Sequence, residues 1–571
     1  MTRGGRGPRR RDVLAASLTM PLAALALPGC TREREHEPRY DGGWVGASHE
    51  RGHLVRTGTP STKSGSAPAI ATSRRVGALV VGGGIAGLAA ARALRAAGVD
   101  DSHVIELEDH AGGNSRGHVI AGMRCPLGAH YLPVPGEQAD EVAHLLDELG
   151  VRKTTNGRAV YDERMLCHTP QERLFIAGGW REGLLPPPEA LPAPERAAAL
   201  TDYRAFAAAV NAAGDADAFA IPTSRSRWSP ALAALDAVTF AVWLDGHGLA
   251  APALRWYLDY CCRDDYGAGA AQVSAWAGMH YFASRHGFRS PGEDGRKRSG
   301  SESGNDDGND SGNDALLTWP EGNAWLADRM AAPLGDRLHG GRVALAVREG
   351  RDDVTVDVWN AAEQRRERWL AARVVLAVPL FVAARLLESP PPALVDAALR
   401  LRYAPWLVAN LHLYSGLDDR PGAPPSWDNV VYGSSGLGYV DATHQSLAPY
   451  AGATILTAYW ALGGDSTAAL AANRQRLLGD DWRAWSARVL AELAAPHPDL
   501  AERVRRVDLM RYGHAMSVPV PGVRGSAALQ ALAAPQRRVQ FGHADLASYS
   551  VFEEALHHGG RAGRAAAGAL A

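Results

Sequence analysis

The sequence predicts an α/β fold that combines a Rossmann-type dinucleotide-binding unit with a second, interleaved domain. Three observations predict it. A glycine cluster follows a short apolar strand. An acidic residue closes the next strand at the right distance. The chain, at 571 residues, exceeds the size of one domain. The strand reads Gly77-Ala78-Leu79-Val80-Val81, and Gly82-Gly83-Gly84-Ile85-Ala86-Gly87 then fit G-x-G-x-x-G. An Ala/Leu-rich helix follows from Leu88 to about Ala97. The second strand, His103-Val104-Ile105, ends at Glu106, nineteen residues past Gly87.

Each part has a physical task. Gly82 allows a tight turn, Gly84 lets backbone approach a pyrophosphate, and Gly87 lets helix and strand pack closely. Ile85 and Ala86 open a helix whose free N–H groups and positive dipole end face the phosphates. Glu106 is placed to accept hydrogen bonds from a ribose.

Gly112-Gly113-Asn114-Ser115-Arg116 comes next, and then Gly128-Ala129-His130-Tyr131. With the glycine motif, these segments resemble the flavin amine oxidase and phytoene-desaturase-like superfamily of FAD-dependent oxidoreductases. That family follows its strand-end Glu with a Gly-Gly-Arg segment. Here the Arg is Arg116, two residues beyond the family's register, and Pro126 replaces an acidic residue common before the Gly-Ala pair. The C-terminus carries the second half of the resemblance. Val539-Gln540-Phe541-Gly542-His543-Ala544-Asp545 is similar to the family's last strand, and residues 550–567 have helical spacing.

The resemblance implies a glutathione-reductase-like two-domain fold and bound FAD. It implies contacts from Gly82, Gly84, Ile85, Ala86, Gly87, Glu106, Gly113, Arg116 and Asp545. It also implies that backbone at about Val343–Leu345, in the first of two alternating strands at 342–347 and 354–359, touches adenine. No cysteine follows Cys262, so the flavin is expected to be bound non-covalently. Cys125, Cys167, Cys261 and Cys262 show no metal spacing and read as core thiols, so no metal site is expected.

The N-terminus reads as an export signal. Arg9-Arg10-Arg11-Asp12-Val13-Leu14 resembles a twin-arginine motif, and the weakly apolar stretch 13–27 is too short to span a membrane. Leu27-Pro28-Gly29-Cys30 resembles a lipobox, which would anchor the protein to a membrane through Cys30. Cleavage near residues 24–26 is the alternative.

The expected organisation is a signal at 1–30 and a tether at 31–74, in which Trp44-Val45-Gly46 and Gly52-His53-Leu54-Val55 are candidates to dock. FAD-binding segments follow at 75–150, 316–400 and 505–571. Substrate-domain segments occupy 151–289, largely helical by pattern, and 401–504, with one helix across 468–494. An insertion at 290–314 has no large apolar residue and cannot bury a core. Without the signal, 55 basic and 61 acidic residues leave a net charge of −6, so no basic field marks a nucleic-acid partner.

Flavin chemistry asks the protein for binding, orientation and electrostatics. Amine oxidases of the superfamily commonly place a Lys near the flavin. This chain has only Lys63, Lys153 and Lys297, in the tether, early in the fold and in the insertion. The expected activity is FAD-dependent oxidation of a small substrate, an amine in the first reading. A desaturase or isomerase of a lipophilic substrate is the alternative, and a flavin-bearing binding protein the third reading. The lysine pattern favours a quinone or protein acceptor over oxygen. Catalytic candidates are Tyr266, His280, Tyr281 and His514, near an aromatic run at 256–266 in which Tyr257, Tyr260 and Asp264 share a helical face.

Overall fold

The computed structural model describes residues 40–58, 69–167, 171–214, 217–285, 287–291, 315–445 and 452–570. The expected signal, Cys30, Lys63, Lys297 and nearly all of the insertion lie outside the described residues.

Alternating strands and helices build the nucleotide layer. Strand β2 (Ile70–Val81) follows the N-terminal strand β1 (Asp41–Trp44) and helix α1 (His49–Thr57), and leads into helix α2 (Ile85–Ala96) and strand β3 (Ser102–Ile105). β2 is central in a seven-stranded sheet, parallel to β3 on one side and to Arg365–Leu376 on the other. Arg365–Leu376 divides its pairing. Its first half takes the antiparallel Val354–Asn360, and its last three residues take the parallel C-terminal strand Val539–Phe541. The strands predicted at 342–347 and 354–359 form an antiparallel pair, Arg342–Glu349 with Val354–Asn360.

Helix α2 is buried along almost its whole length against the terminal helix Phe552–Gly568. Small residues make this approach possible. A Cβ on Gly559 would stand 2.0 Å from the Ala86 carbonyl oxygen, and one on Gly563 2.4 Å from that of Ala90.

The second layer is an eight-stranded sheet in the order Asp41–Trp44, Val504–Val518, Arg402–Leu413, Thr454–Ala461, Tyr439–Asp441, Asp428–Val431, Glu172–Ile176, Gly179–Glu182. Period-two alternation sorts its side chains. In Arg402–Leu413, Ala404, Trp406 and Val408 join an aromatic core with Tyr266 and Trp276. Leu407, Ala409 and Leu411 pack instead on Leu477, Trp485 and Val489 of the helices behind. Both faces are covered, so the strand reads as nearly continuous apolar sequence.

Four expectations are corrected here. Strand Val504–Val518 pairs along its length with Arg402–Leu413, so the boundary expected at residue 505 falls inside the second sheet. Segment 151–289 opens with two hairpins, Arg152–Thr155 with Arg158–Tyr161 and Glu172–Ile176 with Gly179–Glu182, and turns helical from Ala193. The helix expected across 468–494 is two, Thr467–Gly479 and Trp482–Leu493, because Asp480 and Asp481 leave helical geometry to end one and open the next. Residues 41–57 of the expected tether are a paired strand and a helix, since β1 adds a parallel edge to Val504–Val518.

The glycine contact makes a test. Gly559→Ala puts a methyl group into the Ala86 backbone and should cost about 2–3 kcal/mol in urea unfolding. Gly568→Ala, at the same helix's end with open space around it, should be neutral or stabilising by up to about 1 kcal/mol.

Candidate functional site

One cavity of about 880 Å³ takes its walls from both layers. The glycine turn forms one wall. Gly82 donates its N–H to Ile105 at 2.9 Å, and a Cβ on Gly87 would meet the Gly82 carbonyl oxygen at 1.8 Å. Gly87 therefore supports the turn from behind, whereas Gly82, Gly84, Ile85 and Ala86 face the cavity. A Cβ on Gly84 would have one neighbour within 4 Å, Gly113 Cα at 3.8 Å. Gly112 closes the cradle by donating its N–H to the Gly83 carbonyl at 2.8 Å. Arg116 also lines the cavity and is fixed by Nε donating to Gly113 O at 3.0 Å.

Glu106 lines the cavity and also braces the turn. Its Oε2 accepts the Gly83 N–H at 2.6 Å and its Oε1 the Glu108 N–H at 2.9 Å, so it clamps the glycine turn to the end of β3. Burial pushes its pKa up against those two bonds. Of the expected stretch 343–345, only Leu345 is corrected. A β-bulge between Ala344 and Ala346 leaves it out of register, and Val343 and Ala344 line the cavity.

Asp545 reaches the cavity from the opposite end of the chain. It is fully buried, and its Oδ2 accepts from Leu380 N–H at 2.8 Å and Tyr403 O–H at 2.6 Å. Burial acts to raise its pKa, but His543, Tyr403 and Leu380 outweigh that and hold it below the ordinary value. Oδ1 lies 3.2 Å from His543 Nδ1, which accepts the Asp545 N–H, and this oxygen has no hydrogen-bond donor. An open cradle at Gly84 and a buried, undonated carboxylate oxygen fit a bound FAD, with Gly84 at its pyrophosphate and Asp545 beside it. None of the four described cysteines lines the cavity. All are free and buried, and burial pushes the Cys125 and Cys167 thiols up to about 12.

The remaining wall draws on the second layer and on the first turn of the terminal helix. Three carboxyl groups, Asp264, Asp265 and Glu553, surround one guanidinium, Arg285. Arg285 pairs with Asp265 at 3.1 Å, both buried. Among the described residues Asp264 has no hydrogen-bond or ion-pair partner. Burial, reinforced by the charge of Asp265, raises it to about 7. Glu553 is also raised by burial, against Arg285. Aromatic groups adjoin this patch. His130 stacks on Tyr459 at 4.4 Å, and Tyr131 and Trp406 line the same cavity. Burial drops His130 to about 3, so the ring is neutral.

Of the predicted catalytic candidates, only His514 lines the cavity. Its ring lies 4.8 Å from Phe381, and burial with the charges of Arg474 and Arg385 lowers it to about 4. Tyr266 donates to Ala277 O at 2.8 Å and is core. His280 is buried against Trp276 at 4.7 Å, with Nε2 3.2 Å from Ala220 O. Tyr281 packs edge-on to Phe282 beneath Arg285. The helix Pro252–Tyr266 turns its aromatic stripe into the core and only its last turn to the cavity. Arg285, Glu553 and Tyr459 carried no motif. Their shared signal, charge or aromatic residues at element ends, is visible only once those ends meet.

Substitutions separate these roles. Gly84→Val should fill the cradle and abolish FAD retention after dialysis, with melting of the apoprotein little changed. Glu106→Ala strands two backbone N–H groups and should cost about 1–3 kcal/mol of stability as well as flavin occupancy. Flavin absorbance per chain and thermal melting read the two effects apart.

Comparison with known proteins agrees with this geometry. The family model for flavin containing amine oxidoreductases matches residues 85–567. No curated protein matches by sequence. Among solved structures, cyclohexylamine oxidase from Brevibacterium oxydans IH-35A is similar at TM-score 0.59 and 19% identity, covering 87% of this chain and 99% of that one. A putrescine oxidase bound to putrescine matches at TM-score 0.57 and 18% identity, covering 86% and 99%. A fatty acid isomerase from P. acnes matches at 0.53 and 14%, covering 85% and 97%. The match across most of the chain, on a fold with a nucleotide cradle at Gly84 and a carboxylate at Asp545, places this chain in the flavin containing amine oxidoreductase family, as an FAD-dependent oxidoreductase.

Proposed function

We propose that the protein oxidises a small cationic amine. One observation carries the reading: Asp264, Asp265 and Glu553 gather around Arg285 at one place in the cavity, beside aromatic rings. With Asp265 neutralised by Arg285, Asp264 and Glu553 remain to attract a cation. Aromatic faces add cation–π attraction. An apolar chain gains nothing from buried carboxylates, whose desolvation it would leave uncompensated. Two of the similar structures are named for amine substrates, which points the same way.

FAD, when bound, supplies the two-electron acceptor for the substrate's C–H bond. The chain's residues bind and orient. Asp264 holds the ammonium and offers a proton acceptor of suitable strength. Tyr131, Tyr459 and Trp406 fix the substrate's carbon skeleton and exclude water. Among the described residues the one lysine, Lys153, sits on the hairpin Arg152–Thr155 and does not line the cavity. We therefore propose a quinone or a protein as electron acceptor in preference to oxygen.

Anaerobic mixing with a panel of amines, polyenes and fatty acids tests the substrate class. Amines should bleach the flavin, and readmitted air should restore it slowly. Bleaching by a polyene or fatty acid alone moves the assignment to a desaturase or isomerase. Asp264 is neutral below about 7 and charged above it, so the apparent amine affinity should rise as pH rises through about 7. Asp264→Asn should flatten that profile and weaken amine binding roughly 10- to 100-fold.

We also propose export in folded form by the twin-arginine route, carried by Arg10 and Arg11, with attachment through a lipidated Cys30. A chain that must bind FAD before crossing a membrane requires a route for folded proteins. Replacing both arginines, Arg10→Lys and Arg11→Lys, should leave the protein in the cytoplasm by fractionation, because paired guanidinium recognition does not transfer to ammonium.

A further inference from the structure

We propose that residues 40–57 form a cofactor-retaining arm, which closes the nucleotide side of the cavity and slows the release of FAD. The arm precedes the residues that carry the family match. It is pinned at both ends, to different layers. β1 pairs with Val504–Val518 of the second sheet, and Trp44 lies under Arg511 at 4.5 Å. α1 reaches across to the nucleotide layer. Ser48 donates its N–H to Glu108 Oε1 at 2.9 Å. Arg51 donates to the Leu107 carbonyl at 3.3 Å and to Asp109 at 2.8 Å. Arg116, at the Gly-Gly segment, donates to Gly46 O at 3.2 Å. α1 packs beside the strand Arg342–Glu349 and the helix Leu380–Leu386.

Two features show what the helix covers. α1 is nine residues long and has no buried residue. Helices this short hold their shape through packing of one face. Val55 packs on the neighbouring core, and Ser48, His49, Gly52, His53 and Arg56 line the cavity, so the rest of the arm's inner face is completed by whatever fills it. Among the described residues Arg56 has no ion-pair or hydrogen-bond partner, and the pyrophosphate of FAD would bring two negative charges to the cavity it borders. A ligand that contacts only the closed arm stabilises that state, and the closed arm in turn holds the ligand.

The test uses the full-chain holoprotein and reads flavin release into an excess of scavenging apoflavoprotein. The double variant Arg51→Ala, Arg56→Ala should release FAD about tenfold faster or more, the effect of a lost charge-assisted bond. Its apoprotein should melt close to the wild type, because Arg56 and Asp109, the ion partner of Arg51, are exposed and such pairs add little stability. In the wild type, saturating FAD should slow tryptic cleavage after Arg51 and Arg56 by about tenfold or more, the protection expected of a linked closed state. Unchanged release, or cleavage indifferent to FAD, overturns the proposal. So does a fall in apoprotein melting that accompanies faster release, since the arm would then be a general brace.

Discussion

The close approach of helix α2 to the terminal helix Phe552–Gly568 fixes the rest of the molecule. Two backbones touch where Gly559 meets Ala86 and Gly563 meets Ala90. The contact joins segments near the two ends of the described chain. It sets Asp545 across from the glycine turn and brings Glu553, in the first turn of the terminal helix, to the cavity. A single side chain at either glycine would separate the helices and widen the nucleotide cradle.

Charge is divided within the cavity. The turn at Gly84 and the cations Arg116 and Arg342 line one part of it. Elsewhere Asp264, Asp265 and Glu553 present carboxyl groups around Arg285. Desolvation decides what those groups do. Asp265 has an ion partner and Asp264 has none, so burial lifts Asp264 into the neutral range. A cation arriving there finds a carboxyl group able to change charge near physiological pH.

The N-terminal segment ties the two layers together. β1 is an edge strand of one sheet, and α1 bonds the loop that ends β3 of the other. The cavity is therefore bounded by three parts of the chain that are remote in sequence.

The nucleotide half was legible in the sequence because its constraints are local. A glycine that must touch a carbonyl, an acid that must end a strand and small residues spaced along a helix each leave a mark at fixed spacing. Gly84, Glu106 and Asp545 line the cavity for that reason. The spacing did not reveal that Glu106 clamps the turn through Gly83 and Glu108, nor that a bulge removes Leu345 from the wall. The substrate half was not legible. Aromatic spacing in 256–282 marks a buried face equally for a core and for a pocket, and the tertiary packing sent Tyr266 and His280 into the core. Asp264, Arg285, Glu553 and Tyr459 come from four distant elements, and no local pattern links them. The sequence by itself determined the cofactor class and its cradle, because backbone geometry there demands particular residues. Only the tertiary structure decided which charges face the substrate and that residues 40–57 wall the cavity, because both depend on pairing across the chain.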